Sequence, residues 1–78
     1  MATSERKRVR KVIEKRGVSY SVDVVLARPV LVTGMGAESP AWGYFEELGS
    51  TRSINPDIGD DDVLLNELLD EIVKDTNK

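Results

Sequence analysis

The chain has 78 residues, 32% of them charged and 40% hydrophobic, with a formal net charge of −3; this bounds it to one small domain, 1–78. It contains no Cys and no His, so it has no disulfide, lacks the commonest transition-metal ligand, and lacks the usual general base near neutral pH. A domain this size buries only about 60% of its unfolded surface, which leaves oligomerisation or docking as the remaining source of support.

The charge is divided along the chain. Residues 1–36 carry eight Lys/Arg against three Asp/Glu, a net of +5, and residues 37–78 carry three against eleven, a net of −8. Such asymmetry points to electrostatic docking. Either the halves meet each other, or identical subunits meet basic face on acidic face, or each half faces a different partner. The plain alternative is two solvated faces that keep the protein soluble.

Residues 4–16 read as a basic helix. Ser4, or Thr3, is the N-cap. Val9, Val12 and Ile13 form a narrow stripe at i, i+3, i+4. Gly17 then takes the C′ position. Arg6, Lys7 and Arg8 oppose the helix dipole at the N-terminal end, so the first turn frays unless an anion or partner sits there. Residues 18–26 read as a strand, with Val18, Tyr20, Val22, Val24 and Leu26 on one side and Ser19, Ser21 and Asp23 on the other. Val30-Leu31-Val32-Thr33 is a second strand. Pro29 marks an edge, bulge or turn, and two antiparallel strands are preferred over one long kinked strand.

Ser39-Pro40 resembles an N-cap followed by N1, so Ala41 to Leu48 is expected to form a short helix closed by Gly49. The alternative is a strand over Trp42-Gly43-Tyr44-Phe45, because Gly43 inside a helix costs about 1 kcal/mol. Residues 49–60 read as a loop, in which Ser53-Ile54 could add a short edge strand. Residues 61–75 form a helix, capped by Asp60, Asp61 and Asp62. Its stripe is Leu64, Leu65, Leu68, Leu69, Ile72 and Val73. Residues 1–3 and 76–78 are expected to be disordered ends.

Several motifs invite a functional reading. Gly34-Met35-Gly36 after an apolar strand resembles a phosphate loop, but Ser39 stands where the third glycine belongs and no complete βαβ unit fits, so a glycine turn is preferred. Asn55, Asp57, Asp60, Asp61 and Asp62 do not match a calcium loop, and capping is preferred. No residue type is placed as nucleophile beside a base. An enzyme is not expected, and no catalytic, cofactor or metal residue is assigned. The candidate contact residues are Arg6, Arg8, Arg10 and Lys11 from the basic segment, with Trp42 and Tyr44 from the aromatic cluster. Phe45 is read as core. No apolar run approaches the roughly 20 residues that a membrane-spanning helix needs. The basic start leads into no apolar region of a signal peptide, so the setting is read as a cytoplasm or a virion assembled there.

The run Arg8-Val9-Arg10-Lys11-Val12-Ile13-Glu14-Lys15-Arg16-Gly17, followed by Val18-Ser19-Tyr20-Ser21-Val22, resembles the start of small neck and head-closure (connector) proteins of tailed viruses. The resemblance covers about a quarter of the chain. It implies a β-rich subunit in a ring between portal and tail. The chain departs from that pattern in being short and in ending with an acidic helix.

The fold expected is α+β: a small antiparallel element of two to three strands, packed by an N-terminal basic helix and a C-terminal acidic amphipathic helix. The function expected is that of a non-enzymatic structural subunit in a homo-oligomer or larger assembly, a viral particle included. A small protein-binding regulator or inhibitor ranks second. A nucleic-acid binder acting through the basic segment ranks third, and no membrane partner is expected.

Overall fold

A computed structural model describes residues 3–33, 36–38 and 40–78, and the side chains of residues 4–30 and 40–78. Its longest feature is a β-hairpin. Strand β1 (Thr3–Lys15) pairs antiparallel with strand β2 (Val18–Thr33), in register from Lys15↔Val18 to Thr3↔Val30. Arg16 and Gly17 make the two-residue turn with φ of 54° and 75°. Two positive φ values are what a type I′ turn requires, and its twist matches the flanking strands.

The basic N-terminal helix expected over 4–16 is therefore absent, and that part of the fold prediction is overturned. The reason lies in which residues share a face. Val9 and Ile13 face the same side of β1 as Lys7, Lys11 and Lys15, opposite Val24, Tyr20, Leu26, Val22 and Val18 respectively. Lysines thus interrupt the period-two apolar signal. Lys11 reaches Asp75 and Lys15 reaches Glu71, both at 3.5 Å. Their aliphatic stems lie along the apolar surface while the ammonium groups stay wet. Val12, which completed the helical stripe on paper, is 69% exposed on the other face.

β2 is also one continuous strand where two were preferred. Pro29 lies two residues beyond Ala27, whose backbone groups bond Gly43 on the side away from β1. By period two, the N–H that Pro29 lacks would point to that same side, so the β1–β2 ladder loses nothing. Strand β3 (Gly36–Glu38) pairs with the far end of β2. Gly34, Met35 and Ser39, named above for the glycine turn and the cap, lie outside the described residues, as do Met1 and Ala2.

On the same edge of β2, away from β1, strand β4 (Thr51–Asn55) pairs from Val25↔Thr51 to Ser21↔Asn55. It realises the short strand suspected at Ser53-Ile54, inside the segment otherwise read as loop. The helix expected over 41–48 is replaced by a bridge between Ala27 and Gly43 and a single 3-10 turn, Glu46–Leu48. Gly49 closes that turn with φ 88°. Phe45, read as core, is 37% exposed.

Helix α1 (Asp62–Thr76) forms where the leucine stripe predicted it. The Asp61 carboxylate caps it, accepting from the Leu64 N–H at 3.0 Å. Leu64, Leu68 and Ile72 are buried against Ile13, Tyr20, Val22, Val24 and Leu26. At about 1.5–3 kcal/mol per buried aliphatic side chain, this cluster is the main stabilising term. The architecture is an antiparallel sheet, β1-β2-β4, with one helix on one face. Among the described residues no helix is long and apolar enough to cross a membrane.

Candidate functional site

The helix covers only one face of the sheet. In β1 the even-numbered positions Ser4, Arg6, Arg8, Arg10, Val12 and Glu14 occupy the other, beside Ser19, Ser21, Asp23 and Val25 of β2 and Thr51 and Ser53 of β4, by strand alternation and register. Three arginines at alternate positions thus form a row on an uncovered surface.

Asp23 holds two of them. The Arg8 guanidinium donates through Nε at 3.0 Å and through Nη2 at 2.6 Å, one nitrogen to each carboxylate oxygen. Arg10 adds its Nε at 3.3 Å. The hydrogen bond from Arg8 holds the Asp23 carboxyl below its ordinary range, against the opposing effect of desolvation. Asp23 in turn raises Arg8. Arg6 reaches across β2 and donates to the Leu48 carbonyl at 3.3 Å. It passes so close to Gly49 that a Cβ there would lie 3.0 Å from its guanidinium. The row is therefore braced against the sheet, with much of each side chain in water: 61% exposed for Arg8 and 70% for Arg10.

Of the residues singled out from sequence, Arg6, Arg8 and Arg10 come together and Lys11 does not. Lys11 lies on the covered face, with Asp75. Trp42 and Tyr44 also lie on the helix side, half-buried against the core. The Asn77 side chain brackets Trp42, accepting from its N–H and donating to its carbonyl, both at 2.8 Å. The Arg28 guanidinium stacks 4.3 Å over the Trp42 ring and pairs with Glu5 at 2.6 Å. Arg52 donates to the Tyr44 hydroxyl at 3.2 Å and meets Glu46 at 3.4 Å. That bond to Tyr44, more than the charge of Glu46, raises the Arg52 guanidinium. Both aromatics are fastened into the fold.

Asp23, Thr51 and Ser53 were missed as members of this surface. The alternation Ser19, Ser21, Asp23 already placed Asp23 on the polar side of its strand; only the pairing with β1 puts arginines beside it.

Two concavities stand out among the described residues. One, of about 290 Å³, is a shallow dish beside the arginine row, lined by Arg8, Asp23, Val25, Thr51, Arg52 and Ser53. The other, of about 130 Å³, lies between β4 and the start of the helix. Both fall below the ~300–1,000 Å³ usual for small-molecule sites. The acidic run is used locally: Asp57 accepts from the Gly59 N–H at 2.9 Å, and Asp61 caps the helix and pairs with Arg16 at 3.3 Å. Among the described residues no three metal-ligating side chains gather.

The helix supplies the opposite sign. Asp61, Glu71 and Asp75 turn toward the hairpin and pair with Arg16, Lys15 and Lys11. Asp62, Glu67 and Asp70 are exposed. The charge division along the chain is thus met partly within the molecule, while Arg8 and Arg10 stay largely exposed on the open sheet face and Asp62, Glu67 and Asp70 are exposed on the helix. Comparison of the chain with protein-family models, curated proteins and solved structures gave no match.

Proposed function

We propose that the protein is a non-catalytic interaction subunit of a larger assembly, docking through an arginine-bearing sheet face and an acidic helix face. The observation that carries this reading is the braced row Arg6, Arg8 and Arg10 on the side of the sheet opposite the carboxylates Asp62, Glu67 and Asp70. Surfaces of opposite sign on opposite sides of one rigid body favour head-to-tail contact between subunits. Bracing lowers the ordering cost of a contact made by such long side chains.

A viral particle is one such assembly. The resemblance to neck proteins of tailed viruses gives it little support, because residues 8–15 form strand where that pattern has helix. A nucleic-acid role has less support than protein docking: a carboxylate sits between Arg8 and Arg10, and Lys11, Lys15 and Arg16 are paired to the helix.

Light scattering at low and high salt tests the proposal. Self-association that weakens with salt is expected. Arg8→Glu with Arg10→Glu, or Glu67→Lys with Asp70→Lys, should each abolish it, and a mixture of the two variants should restore it. A wild-type chain that associates with neither itself nor an added partner at low salt would remove the reading.

A further inference from the structure

One edge of the sheet has no neighbouring strand among the described residues. β1 pairs with β2 alone, and no other backbone–backbone hydrogen bond described reaches it. Which of its residues aim their backbone groups outward follows from the ladder. Ala27 exchanges both hydrogen bonds with Gly43, at 2.9 and 3.0 Å, on the side of β2 away from β1. Arg6, opposite Ala27 in β1, therefore belongs to a non-hydrogen-bonded pair and turns its N–H and C=O to the free edge. Period two extends this to Ser4, Arg8, Arg10, Val12 and Glu14. The turn gives the same parity from the other end, since Lys15 and Val18 flank a two-residue loop and form its hydrogen-bonded pair.

An exposed edge of thirteen residues is a template for another strand. Charged side chains guard most of this one. Val12 is the exception, apolar and 69% exposed, with Arg10 two residues before it and Glu14 two residues after. Antiparallel pairing of two copies about a twofold axis has few registers to choose from. Centred on Arg8, it sets Arg8 against itself and Arg6 against Arg10. Centred on Arg10, it sets Arg10 against itself, although Arg6 then meets Glu14; centred on Lys11, it sets Arg8 against Glu14 but Lys11 against itself on the other face. Centred on Val12, it sets valine against valine and each Arg10 against Glu14 of the second copy. Opposite charges directly across a ladder favour pairing and like charges oppose it.

We infer that β1 is a dimerisation edge with one register, centred on Val12, which joins two copies of the chain into a continuous six-stranded sheet. Arg10 contacts Asp23 through Nε and is 70% exposed, so its terminal nitrogens reach outward to a second carboxylate. Glu14 is likewise exposed. The arginine rows of the two copies then lie on one shared face. This contact is separate from docking through the charged faces. It consists mainly of backbone hydrogen bonds and a valine pair, so it persists at salt concentrations that release exposed ion pairs.

The chain has no cysteine, so single cysteines report the register. Hydrogen-bonded antiparallel partners have Cα atoms about 5.5 Å apart, within disulfide reach. Under mild oxidation Val12→Cys is expected to cross-link with itself, while Arg10→Cys and Glu14→Cys cross-link only when mixed. Self-linking of Arg8→Cys or Arg10→Cys ahead of Val12→Cys overturns the register. A wild-type chain that sediments as a monomer at high concentration, with no cross-link at Val12→Cys, overturns the dimer. Arg10→Glu is expected to weaken the dimer about tenfold, since the change counts twice by symmetry. Arg10→Glu combined with Glu14→Arg is expected to restore it, and failure to do so counts against the pairing. Circular dichroism on each variant checks that the monomer is folded. A high-salt dimer linked at Val12 stands even if the charged faces bind nothing.

Discussion

The two faces of the sheet are built from the same strands, yet they treat charge differently. On the covered face, Lys11 and Lys15 lie beside Val9 and Ile13 and are each matched by a carboxylate of the helix. On the open face, Arg8 and Arg10 share Asp23, and Arg6 takes a carbonyl. Lysine serves where a long apolar stem must cross a core edge and end in water. Arginine serves where a planar fork is held by a carboxylate and still has nitrogens to offer. The comparison teaches that net charge along a strand says little about availability, because Lys11 and Lys15 are tied to the helix while Arg8 and Arg10 share one carboxylate and stay largely exposed.

The sharpest way to break this comparison is to remove the cover. Leu68 is fully buried under the sheet, and Leu68→Ala should cost about 2–5 kcal/mol in urea unfolding. That is a large part of the roughly 5–15 kcal/mol available to a small domain. Next comes the cap. Asp61→Ala should cost about 1 kcal/mol and lower the helical signal in circular dichroism, with a further small loss from Arg16.

Adjacent residues on opposite faces sharpen the contrast. Ile13→Val should cost about 0.5–1.5 kcal/mol, while Val12→Thr should stay within about 0.5 kcal/mol of the wild-type monomer. Equal losses at the two positions would favour a helical β1 segment over the strand.

The smallest effect is expected at Asp23. Its carboxyl titrates below the ordinary 3.8 because Arg8 donates to it. The stabilisation is complete above the unfolded value and is lost as pH falls through the lower folded value. Asp23→Asn should therefore flatten the acid limb of a stability–pH curve slightly and leave neutral pH nearly unchanged, as expected for an exposed pair.

The terminal helix and the first half of the central strand were legible; β1, its turn and the 41–48 segment were not. The leucine period of 64–73 and the aspartates before it specified the helix to within a residue, and Val18 to Leu26 specified the central strand. β1 was missed because lysines occupy its covered positions and because adjacent Val12 and Ile13 imitate a helical stripe. Its turn was missed because Arg16, not asparagine, precedes Gly17. The 41–48 helix failed because Gly43 bonds Ala27 far away in sequence, a pairing no local pattern contains. The arginines of the candidate site were named one by one from the basic run; that they form a row, and that Lys11 leaves it, depends on the strand.

The Trp42 clasp joins three distant segments: Glu5 and Arg28 from the hairpin arm, and Asn77 just beyond the helix. The chain has a single tryptophan. Its indole emission is thus an intrinsic optical gauge of whether the hairpin arm and the helix terminus remain latched, readable without any attached dye.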